Sequence, residues 1–179
     1  SLDIANDGDL EWAMNEPAFD YFGRQTKFWA GASEGINYAM EEASATINLN
    51  GEGTGGSFML PVGANIQFAE MSIWNNTIGE FDIILRSGTQ EYQMGTMANQ
   101  STLIFENIFP PLPLKDAISS LISNPLVQAN HVDEFGNEWI KFDFKVTNQN
   151  ASTNSGLKFT DLDILYYWST TISESDYMD

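Results

Sequence analysis

The chain of 179 residues has no cysteine, one histidine and only seven lysines and arginines. Without cysteine there is no disulfide framework and no thiolate metal site, so a fold working outside the cell must rest on its core alone. The lone histidine, His131, sits in the loop-like stretch Gln128-Ala129-Asn130-His131-Val132-Asp133-Glu134. With no second histidine and no cysteine, the partners for a zinc site or a cysteine nucleophile are missing, and the sequence assigns His131 no catalytic or ligand role.

The scarcity of positive charge has a second consequence. Seven basic residues against 25 acidic ones leave a formal charge of −18, so a polyanion would approach against a repulsive field and nucleic acid is excluded as a partner. Long apolar runs are absent too. None approaches the roughly 20 residues that span a bilayer, and no basic stretch followed by an apolar one opens the chain. No membrane insertion is expected of it.

Aromatic residues, by contrast, are plentiful. Five Trp, twelve Phe and six Tyr, within a hydrophobic fraction of 42%, exclude a disordered chain. The length suits one core with an elaborated end. We divide it into an N-terminal strand or extension over residues 1–30, a candidate assembly segment, and a β-sandwich domain over residues 31–179.

Strand signals fill the middle of the chain. Residues 43–49 alternate small or apolar with polar side chains and run into Asn50-Gly51-Glu52-Gly53-Thr54-Gly55-Gly56, read as a glycine-rich turn. Residues 57–60 lead through Pro61-Val62-Gly63 into residues 64–74, where Ile66 and Phe68, then Met71 and Ile73, repeat every second position. The change of phase predicts a bulge near Ala69. Further strands are expected at 80–85, 91–94 and 102–105, with a hairpin connection at 86–90. Residues 138–146 alternate throughout, with Trp139 out of phase beside Ile140, Phe142, Phe144 and Val146, and residues 157–168 close the chain on Phe159, Leu162, Ile164 and Tyr166.

One helix is legible near 114–122. It places Leu114, Ile118, Leu121 and Ile122 on one face, follows a proline-rich rim and ends at Asn124-Pro125. Short strands, dense turns and this helix define an all-β chain, an antiparallel, jelly-roll-like β-sandwich with the helix closing one end. Residues 29–40 receive no assignment.

The run Ile47-Asn48-Leu49, Phe58-Met59-Leu60-Pro61 and Ala69-Glu70-Met71-Ser72-Ile73 resembles the strand and Leu-Pro turn pattern of jelly-roll modules in large archaeal cell-surface proteins. The helix at 114–122, the Gly136-Asn137-Glu138-Trp139 turn and the closing strand continue the likeness over most of residues 43–168. In such modules an Asp-Gly/Glu-Trp signature lies between the central strands and the helix, the place of residues 81–94 here. This chain carries its better version at Asp3-Ile4-Ala5-Asn6-Asp7-Gly8-Asp9-Leu10-Glu11-Trp12, outside the matching stretch. The resemblance implies a non-enzymatic structural or adhesive role on the extracellular cell surface, in a layer, stalk or filament.

Residues 3–12 do not form an EF-hand, because Ala5 and Met14 occupy its third and twelfth positions. Two readings remain. Asp3, Asn6, Asp7, Asp9 and Glu11 supply oxygens for an irregular calcium site around Gly8, or they form an Asn-Asp-Gly turn that needs no metal. Asp161 and Asp163, on alternate residues of the last strand, are expected on one solvent-facing side. Three Asn-x-Ser/Thr sequons, at Asn75, Asn99 and Asn150, point to a glycosylated, exported surface.

Two functional classes follow. In the first, the module self-associates or joins neighbouring surface modules, with residues 2–14 completing another copy's sheet. In the second it binds glycans, with Tyr21 and Trp29, beside Phe22 and Phe28, as flat rings for sugar stacking or as core residues. A glycosidase needs only two acids about 5 to 9.5 Å apart, but the sequence singles out no such pair.

Overall fold

The computed structural model describes residues 21–29, 39–47, 51–75, 79–98, 102–105, 114–148 and 155–168. The strands among them are β1 (Tyr21–Gln25), β2 (Phe28–Trp29), β3 (Ala39–Met40), β4 (Ala43–Ile47), β5 (Glu52–Pro61), β6 (Asn65–Asn75), β7 (Phe81–Ser87), β8 (Gln90–Met97), β9 (Thr102–Phe105), β10 (His131–Val132), β11 (Glu138–Thr147) and β12 (Ser155–Trp168). Helix α1 covers Leu114–Ser123.

Two sheets face each other. In the first, β12 lies antiparallel to β6, and β9 flanks β6 on its far side. The opposite edge of β12 is shared, with β4 against Ser155–Phe159 and β1 against Ile164–Trp168. In the second sheet β11 is central, with β5 on one edge, β7 and β10 on the other, and β8 beyond β7. β2 and β3 pair only with each other. The chain is thus an antiparallel β-sandwich of the jelly-roll kind with one short helix, as its periodicity predicts.

The alternation in β11 explains why the sheets meet where they do. Ile140, Phe142, Phe144 and Val146 are all buried, while Lys141, Asp143, Lys145 and Thr147 between them keep partial exposure. Phe142 stacks on Phe58 of β5 with centroids 5.2 Å apart, and Phe144 stacks on Phe159 of the other sheet at 5.5 Å. These rings carry the apolar area that holds the layers together. Trp139, out of phase in sequence, is fully buried: its ring meets Trp168 edge-on at 5.1 Å. Helix α1 closes the sandwich against β6, β7 and β8, burying Leu114, Ala117, Ile118 and Leu121.

Two expectations are corrected. Most of the glycine tract is strand, since β5 starts at Glu52. Its glycines serve a corner where β4 of one sheet passes β5 of the other. A Cβ on Gly53 would lie 2.5 Å from the Thr46 carbonyl oxygen, and one on Gly55 would strike that of Ser44. Gly56, with φ 69, takes the left-handed conformation where the β5–β11 register shifts, and a Cβ added there would lie 3.1 Å from the Phe144 ring and 3.3 Å from that of Phe159. The β6 bulge falls at Gln67 rather than near Ala69, because Phe68 and Ile66 pair with the consecutive residues Leu165 and Tyr166. Phe68 is consequently half-buried. N-terminal to the 30/31 boundary, β1 is hydrogen-bonded to β12, and Phe28 packs on Phe159.

Candidate functional site

The outer surface of the first sheet is built from the residues of β6 and β12 that alternate with the core. Met71 and Ile73 of β6 point inward, so Glu70, Ser72 and Trp74 point outward. Across the ladder, Glu70 faces Asp163, Ser72 faces Thr160 and Trp74 faces Lys158. Trp74 is 43% exposed, the most exposed aromatic side chain among the described residues.

Its ring is held. The indole Nε1 donates to Thr160 Oγ1 at 3.1 Å, and the same hydroxyl donates to Asp161 Oδ2 at 3.1 Å. One hydroxyl thus accepts from the indole and spends its proton on the carboxylate. Asp161 has φ 58, the single positive φ of a non-glycine residue among the described residues. It sits in a bulge, since Ser72 and Glu70, two residues apart, pair with Thr160 and Asp163, three apart. Asp161 and Asp163 both keep solvent exposure, on either side of the buried Leu162. The bulge falls where the other edge of β12 changes partner from β4, ending at Phe159, to β1, beginning at Ile164. A left-handed aspartate costs of order 1 to 3 kcal/mol and persists only where its surroundings dictate it.

The flanks are tied down by ion pairs. Arg24 Nε and Nη2 donate to Asp163 Oδ1 and Oδ2 at 2.8 and 2.9 Å, and this hydrogen bonding keeps the guanidinium charged even beyond its usual range. Lys158 Nζ lies 3.0 Å from Glu42 Oε1. Asp161, exposed, pairs with no cation among the described residues. The arrangement offers a fixed aromatic face beside a carboxylate that still has acceptor capacity.

The outer face of the second sheet is different in kind. Arg86 makes a two-pronged pair with Asp143 at 2.9 and 3.0 Å, and Lys145 reaches Glu91 at 3.5 Å, giving a mutually satisfied charge ladder. At the β4–β5 corner lies an open cleft of about 370 Å³, floored by Gly55, Gly56 and Ser57 and walled by Phe28, Met40 and Ser44.

The residues singled out in sequence fare variously. Asp3, Asn6, Asp7, Asp9 and Glu11, and the sequon residues Asn99 and Asn150, lie outside the described residues. Tyr21 and Trp29 lie on β1 and β2, described for their backbone only. Phe28, in contrast, is fully buried and is a core residue. The sequon residue Asn75 ends β6. It is 1% exposed, and its Nδ2 donates to the carbonyls of Gly79 and Ala98 at 3.0 and 3.1 Å.

His131 is a half-buried residue of β10, and burial lowers its pKa against the opposing pull of Asp133. No group of three or more His, Asp or Glu among the described residues is placed to hold a metal ion. No helix among them is long and apolar enough to cross a membrane. Trp74, Thr160 and Asp161 were missed in the sequence, although a tryptophan directly after the inward Ile73 signals an outward ring.

No protein-family model matches the chain, and no curated protein matches it. Among solved structures it is similar to TmCBM61 in complex with β-1,4-galactotriose, at 7% identity over 94% of this chain and 97% of that one, with a TM-score of 0.33. It is similar to a chain of infectious bursal disease virus, Gx strain, at 6% identity over 89% of this chain and 33% of that one, with a TM-score of 0.34. The mitogen of Yersinia pseudotuberculosis follows at 11% identity over 88% and 90%, with a TM-score of 0.25.

Proposed function

We propose that the chain is a non-enzymatic adhesive module of an extracellular surface and that its ligand is a carbohydrate held on the outer face of the first sheet. The observation that carries this reading is Trp74, a large exposed ring whose only polar atom is already bonded to Thr160. A ring fixed before the ligand arrives loses little conformational freedom on binding, and its apolar face suits the C–H face of a pyranose. Asp161 beside it supplies an acceptor for sugar hydroxyls. The acidic, cysteine-free composition accords with such a surface role.

Affinity electrophoresis through gels containing soluble polysaccharides tests the proposal. The chain should be retarded by at least one polymer, and Trp74→Ala should migrate as in a blank gel with its melting temperature preserved. Equal retardation of the two proteins would refute the assignment of the site.

A further inference from the structure

The charge around Trp74 carries the reading one step further, to the class of carbohydrate. This step rests on the glycan-binding proposal. Among the described residues, the charged side chains bonded or paired along the outer face and edge of the first sheet are Arg24 and Lys158 against Glu42, Glu70, Asp161 and Asp163, two cations against four carboxylates. Both cations are taken. Arg24 is engaged at both nitrogens by Asp163, and Lys158 by Glu42. Among the described residues, the cations of this face thus each meet a carboxylate before any uronate, sulfate or phosphate arrives, and the −18 charge of the chain adds to the repulsion.

The carboxylate nearest the ring is held toward the opposite task. Asp161 Oδ2 already accepts from Thr160, so the group keeps its remaining lone pairs for donors brought by the ligand. Its left-handed backbone holds it at the bulge, where a strand in regular pleat would carry it away from Thr160. Hydroxyl groups are the donors a sugar has in quantity.

We infer that the Trp74 face selects carbohydrates without anionic groups, and that Asp161 is the specificity-determining residue, accepting hydrogen bonds from sugar hydroxyls while turning away acidic glycans.

The test is affinity electrophoresis of the whole chain against neutral polymers (a β-glucan, a β-galactan, a mannan, a xylan) and anionic ones (polygalacturonate, hyaluronan, heparin), each at low and high NaCl. Trp74-dependent retardation is expected from at least one neutral polymer, changing less than about twofold with salt because no ion pair is formed, and from no anionic polymer. The second arm is Asp161→Asn, which tolerates the left-handed backbone, keeps the side chain's shape, removes the charge and exchanges one acceptor oxygen for an amide nitrogen. It should weaken the neutral ligand by roughly 3- to 10-fold, the difference between a charged and an uncharged acceptor. Trp74-dependent retardation by an anionic polymer overturns the inference while leaving the glycan-binding proposal standing. An unchanged affinity in Asp161→Asn overturns the role of that residue. Silence across every polymer defeats the glycan reading itself, and the inference with it.

Discussion

Asp133 Oδ2 accepts a hydrogen bond from the buried indole of Trp139 at 2.9 Å, while Oδ1 of the same carboxylate accepts the backbone N–H groups of Phe135 and Asn137, each at 2.9 Å. The acidic turn between β10 and β11 is thus a structural knot. It ties the loop to the tryptophan that packs on Trp168 of the opposite sheet. Removing the carboxylate strands three donors, two of them on buried residues. Asp133→Ala is expected to lower the unfolding free energy by about 2 to 4 kcal/mol in urea denaturation, with no effect on binding at Trp74. A loss under about 0.5 kcal/mol would show the knot to be dispensable.

The β4–β5 corner makes a second prediction. The backbone carbonyl of Ser44 occupies the space that a side chain at position 55 would need, and a carbonyl within a strand cannot swing aside. Gly55→Ala should cost about 1 to 3 kcal/mol or more by overpacking. Gly63→Asn, in a turn where nothing lies within 4 Å of the added carbon, should stay within about 1 kcal/mol despite φ 78. Thermal melts of the two variants, compared side by side, check the ordering.

Tyr166 gives a pH dependence. Its ring is fully buried, and burial raises the hydroxyl pKa well above the ordinary 10.0, the hydrogen bond from Gln25 Nε2 at 3.4 Å pulling weakly the other way. The folded chain therefore keeps a proton that the unfolded chain releases above about pH 10. This contribution to stability is intact below that pH and falls as pH rises, by at most about 1.4 kcal/mol per pH unit. Tyr166→Phe should flatten the alkaline limb of the stability profile, measured by urea titration between pH 8 and 11.5. An unchanged slope would contradict it.

Glycosylation is directly checkable. In protein secreted from a glycosylating host, peptide mapping should find Asn75 unmodified, because its amide is spent inside the fold on Gly79 and Ala98. A glycan on Asn75 of the folded protein would mean that the β6 end is open rather than packed.

The fold was legible because it is written in a period of two: β11 from Ile140 to Val146, and β12 from Leu162 to Tyr166, alternate so regularly that their core residues follow from the sequence alone. What escaped is what period does not encode. The glycines of β5 look like a turn, since nothing local shows that a strand of the other sheet will press on Gly53 and Gly55. Asn75 carries a sequon, and only tertiary contacts reveal its burial. The candidate site was half visible. Alternation puts Trp74 outward, but the bulge that turns Asp161 beside Thr160 depends on β12 pairing with three strands, a non-local fact.

The most direct test of the central claim is a calorimetric titration of the chain with an oligosaccharide cut from whichever polymer retards it, run in parallel on Trp74→Ala. Loss of a fixed aromatic anchor at the centre of a binding face is worth about 2 kcal/mol or more, roughly 30-fold in Kd. The account predicts a loss of at least that size, with the melting temperature unchanged. A Trp74→Ala protein that binds the oligosaccharide as the parent does would contradict it.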